Sequence, residues 1–150
     1  MYDPVPYVAI GEMASTSDAV ELARLRNSRV KGHHAFRSDS RIGDSFVCER
    51  EPSNTYSDVA IVVKRGSQVI GHVPERLARI LTPMLEDGRL RRIDGWITGP
   101  ERPAPEGVWR TGGGIELPCC YILHGLKENR KGVRECLRAK TQELKTDVGN

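Results

Sequence analysis

Tyr56 stands just behind the breaker Glu51-Pro52-Ser53-Asn54 and just ahead of a β-branched run. In that setting an aromatic ring either stacks on a planar ligand or covers the edge of a core. Arg50, on the other side of the breaker, carries a guanidinium able to reach a phosphate or to pair with Glu49 or Asp58. His72, two residues before Pro74, either contacts a phosphate or satisfies backbone groups near a helix start. Phe36 is one of only two phenylalanines, so the core competes with any ligand for it. Trp96 falls in a strand and reads as core, whereas Trp109, in a Pro/Gly-rich loop, is better placed for a partner. Arg91 and Arg92 fall on opposite faces of a strand start and do not make one patch.

Catalytic constellations are missing. No GxxxxGK[ST] loop occurs, and the nearest glycine-spaced segment, residues 66–72 (GSQVIGH), lacks the lysine that reaches phosphates. There is no GxSxG elbow and no HExxH helix. An enzyme is not expected, and no cofactor is implied. Four cysteines, Cys48, Cys119, Cys120 and Cys136, contain no CxxC pair, and Cys119 and Cys120 are adjacent. They read as small core hydrophobes rather than as ligands joining His33, His34, His72 or His124 around a metal.

Charged residues make up 29% of the 150 residues and hydrophobic ones 38%, with a net charge of +3. This allows one core and is only mildly basic. Residues 1–28 hold two basic against four acidic side chains, residues 29–125 fourteen against twelve, and residues 126–150 seven against four. The positive excess therefore lies in the middle of the chain and its end. The apolar runs, 59–63 and 69–70, fall far short of the roughly 20 residues that span a membrane. The N-terminus has no basic stretch ahead of its apolar residues, so an intracellular protein without a membrane partner is expected.

The elements that must hold these groups are mostly strands. Residues 1–28 read as an extension, with Asp18–Arg26 as a short capped helix. Val30–Phe36 and Ser45–Arg50 alternate as strands. Val59–Arg65 and Gln68–Val73 make a hairpin across Gly66-Ser67. Pro74 starts a helix with Leu77, Ile80, Leu81 and Leu85 on one stripe, which Pro83 should kink or shorten. Leu90–Gly99, with Gly95 as a bulge, and Ile115–Gly125 complete the strands around an irregular loop at 100–114. The basic tail, 126–150, holds a helix over Gly132–Lys145 that is marginal alone. The expected domain, 29–125, is mainly β with one inserted helix, a small OB-like or SH3-like, partly open antiparallel barrel. Such barrels commonly bind single strands on an exposed face.

Three blocks carry a family resemblance. Val30-Lys31-Gly32, then Glu49-Arg50-Glu51-Pro52-x-Asn54-x-Tyr56-x-x-x-Ala60-Ile61-x-Val63, then Val69-Ile70-Gly71-His72-Val73-Pro74 before a helix with Leu77 and Leu81 resemble the HIRAN domain. That domain stands at the N-terminus of certain SWI/SNF helicases and in some stand-alone proteins, whose ending Gly113–Gly125 resembles. The resemblance implies a non-catalytic OB-like barrel that grips single-stranded DNA at its 3′ end, and a nuclear location. It assigns the nucleic-acid site to His34, Phe36, Arg50, Asn54, Tyr56, Ser57 and His72. The family's aromatic pair reads Ala35 and Phe36 here, and its carboxylate after the tyrosine is replaced by Ser57. These departures leave open an alternative, a protein-interaction adaptor that kept the barrel and lost recognition of DNA ends.

Overall fold

Period-two burial governs the strands: Phe46 and Cys48 point inward while Val47 and Glu49 face out, and Ile93, Gly95 and Ile97 alternate with Asp94 and Trp96. The structure is a computed structural model that describes residues 18–32, 40–103 and 115–147. In chain order these form β1 (Val20–Lys31), β2 (Ser45–Arg50), β3 (Ile61–Arg65), β4 (Gln68–His72), α1 (Glu75–Glu86) and β5 (Arg92–Ile97). Then follow β6 (Arg102–Pro103), β7 (Ile115–Gly125), a 3-10 turn (Lys127–Asn129) and α2 (Arg130–Asp147). β1, β4, β3, β2, β5 and β7 pair antiparallel in that order, and β1 pairs back onto β7, which closes a barrel. β6 joins the far end of β7.

The closure is uneven. β1 runs along β7 from Val20↔Gly125 to Lys31↔Glu116, but meets β4 only at Lys31↔His72. The expected opening in the barrel thus survives as a thin seam between β1 and β4. Gly71 makes even that contact possible, since a Cβ there would lie 2.6 Å from both the Lys31 carbonyl oxygen and Val30 Cγ1.

The segment expected as a helix over Asp18–Arg26 is strand from Val20 onward. Its alanine, glutamate, leucine and arginines favour helix locally, but pairing along the whole of β7 and burial of Leu22 and Val30 outweigh that preference. Bulges between Glu21 and Ala23 and between Leu25 and Ser28 bend β1 around the barrel. Asn27, within the second, has φ of 58°, a left-handed conformation asparagine tolerates.

Two further expectations are corrected on β5. Gly95 is no bulge; it pairs in regular register with Phe46 and Tyr121. It is needed because a Cβ would lie 1.9 Å from the Cys120 carbonyl oxygen and 2.9 Å from Phe46 Cζ. Trp96 is not core either. It sits on the outer face, half-buried, with the Arg24 guanidinium 5.5 Å above its ring. Inside, Phe46 and Tyr121 meet edge to face at 5.6 Å, and the Tyr121 hydroxyl donates to the Arg29 carbonyl at 2.7 Å.

α1 packs its buried face into the common core. Pro83 does not shorten it, because the proline lies on the exposed side and the helix continues to Glu86. The buried stripe is Ala78, Leu81, Thr82 and Met84 with Ile80, while Leu77 and Leu85 are only partly buried. α2 is anchored by Val133 and Leu137 in the same core, so the tail helix draws its stability from packing.

Candidate nucleic-acid interface

The loop between β2 and β3 is organised by Asn54. Its Oδ1 accepts from the backbone N–H of Tyr56 at 2.8 Å and of Ser57 at 2.9 Å, an Asx turn that fixes both residues. Its Nδ2 donates to Glu51 Oε1 at 2.8 Å, and the same oxygen accepts from His72 Nε2 at 2.8 Å. The Asn54 hydrogen bond first, and His72 second, hold the Glu51 carboxyl below its ordinary pKa. Loop and β4 are thereby tied together through one carboxylate. Ser57 Oγ accepts weakly from the Val59 N–H at 3.3 Å, which leaves its own O–H to donate outward.

Arg50 serves the loop from behind. Nη1 donates to the Ala60 carbonyl at 2.5 Å, Nη2 to the Asp58 carbonyl at 3.0 Å, and Nη2 also lies 3.3 Å from Glu86 on α1. Thr82 of α1 donates to the Val59 carbonyl at 2.7 Å. The loop rests on a rigid barrel and helix, which is what a binding loop needs.

At the β1–β4 seam this loop borders a cleft of about 310 Å³. Lys31 and Gly32 form one wall, Asn54, Tyr56, Ser57 and Ala60 the second, and His72, Val73, Pro74, Glu75 and Ala78 the third. Tyr56 is 95% exposed, so its ring is free to stack and carries no core burden. The Lys31 ammonium is partly buried, and that burial, more than its neighbour Arg29, lowers its pKa, with Glu116 opposing. α1 begins here without a side-chain cap, because Pro74 stands at the cap position. Its first amide N–H groups therefore favour an anion, while Glu75 opposes one. The arrangement offers an aromatic platform, an ammonium and amides for a phosphate, and a hydroxyl for a sugar hydroxyl.

Four of the seven residues read from the sequence, Asn54, Tyr56, Ser57 and His72, converge on this cleft. Arg50 stands behind the loop with its donors on backbone carbonyls and Glu86. His34 and Phe36 lie outside the described residues. Sequence reasoning missed Lys31, although it sits in the quoted Val30-Lys31-Gly32 block, as well as Glu51 and the start of α1. Among the described residues no cluster of His, Cys, Asp and Glu is arranged to hold a metal. Burial pushes the Cys119 thiol up to about 12 and Cys48 well above its ordinary value, as expected of core cysteines.

A closed barrel with a solvent-facing cleft at its thinnest seam, lined by an exposed tyrosine, a lysine and a helix start, frames the candidate site. The HIRAN domain family model matches residues 20–106, and the chain belongs to that family. The crystal structure of the HIRAN domain of human HLTF is similar at a TM-score of 0.65 and 21% identity, covering 83% of this chain and 93% of that one. An NMR structure of the HLTF HIRAN domain is similar at a TM-score of 0.59 and 22% identity, over 85% and 96%. Another, described as that domain in its DNA-bound conformation, gives 0.58 and 23%, over 83% and 93%. These likenesses are of fold. No curated protein matches the chain.

Proposed function

We propose that this chain is a non-catalytic DNA-binding module whose seam cleft receives the end of a single strand. Membership of the HIRAN family and the fold shared with a domain described in a DNA-bound conformation support this reading. The observation that carries it is Tyr56, fully presented by the Asn54 turn beside Lys31 and the open start of α1. A terminal base stacks on the ring, a phosphate meets the ammonium and amides, and the sugar hydroxyl meets Ser57. Ser57 both donates and accepts, so it discriminates poorly between a 3′-hydroxyl and a 3′-phosphate, where a carboxylate would repel the latter.

The test is a fluorescence-anisotropy titration with short single strands ending in 3′-hydroxyl or 3′-phosphate, at low and high salt. Weak, salt-dependent binding with similar affinity for both ends is expected. Glu75, a carboxylate on the cleft wall, favours a second reading, an adaptor that uses this cleft for a protein ligand. Absence of DNA binding at low salt selects that reading.

A further inference from the structure

We propose that the exposed face of α2 is a second DNA contact, a phosphate-tracking surface for the duplex beyond the strand end. This rests on the DNA-binding reading above and extends it to residues that the family match, ending at 106, does not reach. A cleft of about 500 Å³ beside the 3-10 turn is lined by Lys127, Arg130, Lys131, Arg134 and Arg138, with Glu128 and Glu135 as its carboxylates. Arg130, Arg134 and Arg138 recur every four residues and so form one stripe, each step rising about 6 Å along the helix.

Elsewhere most basic side chains are paired in place, with Arg26, Lys31, Arg41, Arg76 and Arg91 as the exceptions among the described residues. Arg24, Arg29, Arg50, Lys64, Arg65, Arg79, Arg89, Arg92 and Arg102 all stand within ion-pair distance of a carboxylate. Among the seven residues that line this cleft, by contrast, no ion pair forms with another described residue. Two arginines instead use part of their guanidinium to grip β1: Arg130 Nη2 donates to the Glu21 carbonyl at 3.1 Å and Arg134 Nε to the Leu22 carbonyl at 2.7 Å. With Val133 and Leu137 buried beneath them, the cations are held on a fixed surface. Fixed cations one helical turn apart, five basic side chains against two carboxylates, suit a polyanion with regularly spaced phosphates, which releases its counterions on binding. Lys31 at the end cleft and the carbonyls gripped by α2 lie at opposite ends of β1. Nine residue steps along the strand separate Leu22 from Lys31, at most about 30 Å, the length of about nine base pairs.

The test compares the full chain with a Lys127→Gln, Lys131→Gln, Arg138→Gln variant, all three side chains being exposed and free of the β1 contacts. Probes are a four-nucleotide single strand, a 20-base-pair duplex with a short 3′ tail, and a blunt duplex closed by hairpin loops. A matching thermal melt controls for folding. The variant should bind the tailed duplex at least about tenfold more weakly at low salt, with a salt slope shallower by about two to three, and keep its affinity for the short strand. Equal binding of the tailed duplex by both proteins overturns the proposal and leaves the end cleft standing. Binding of the closed duplex that the variant loses, with no short-strand binding by either protein, supports the α2 surface and sinks the end-cleft reading. Failure of every DNA probe overturns both, even if anionic vesicles bind and the variant loses them.

Discussion

Tyr56 and its neighbours separate binding from stability with unusual clarity. The ring touches solvent on almost every side, so Tyr56→Ala should leave the thermal melt unchanged. Loss of one stacked base should weaken single-strand binding about tenfold or more in anisotropy, since stacking is worth about 1–3 kcal/mol. Melting of the variant with affinity intact would place the ring in the fold instead. Ser57→Asp should raise preference for a 3′-hydroxyl over a 3′-phosphate, read from the same titration. Glu51 supplies a pH signature. Its folded pKa is depressed, by Asn54 first and His72 next, so its contribution to stability is present above the ordinary carboxylate value of about 4.3 and is lost as pH falls through the lower folded value. Denaturation midpoints measured from pH 6 down to pH 3 should therefore fall less steeply for Glu51→Gln than for the native chain. Equal slopes would show that this carboxylate does not hold the loop to β4.

At the level of elements, two glycines test what closes the barrel. A methyl at Gly95 meets the Cys120 backbone and Phe46, whereas one at Gly71 meets Lys31 and Val30 across the thin β1–β4 seam. Both alanine variants should lose about 1–3 kcal/mol in urea denaturation, as overpacked cores do. Only Gly71→Ala should also change DNA affinity, because the seam it pries apart is the wall of the cleft. An equal effect of both variants on binding, after correction for folding, would detach the seam from the site.

For the whole molecule, α2 decides whether the barrel stands by itself. Val133 and Leu137 are buried in the common core, and Arg130 and Arg134 grip β1. Removing the chain after residue 129 should cost about 3 kcal/mol or more from those two side chains alone, visible as a lower urea midpoint. An unchanged midpoint would make the helix an appendage.

The sequence by itself determined what is local. Gly66-Ser67 between two β-branched runs set the hairpin, Pro74 set the start of α1, and Asn54 after Glu51-Pro52 set the turn that presents Tyr56. Turn chemistry and period-two alternation act over a few residues, so they are written in neighbouring letters. The blocks from Val30 to Pro74 carried the family for the same reason. Only the tertiary structure decided the rest. β1 is a strand because of a partner about a hundred residues away, β7, whose pull no local propensity records. Trp96 faces outward because register with β2 and β7 sends Gly95 inward. Arg50 is spent on loop carbonyls, and Lys31, His72 and the start of α1 become one cleft, because a barrel closing through a single residue pair leaves its seam open to solvent there.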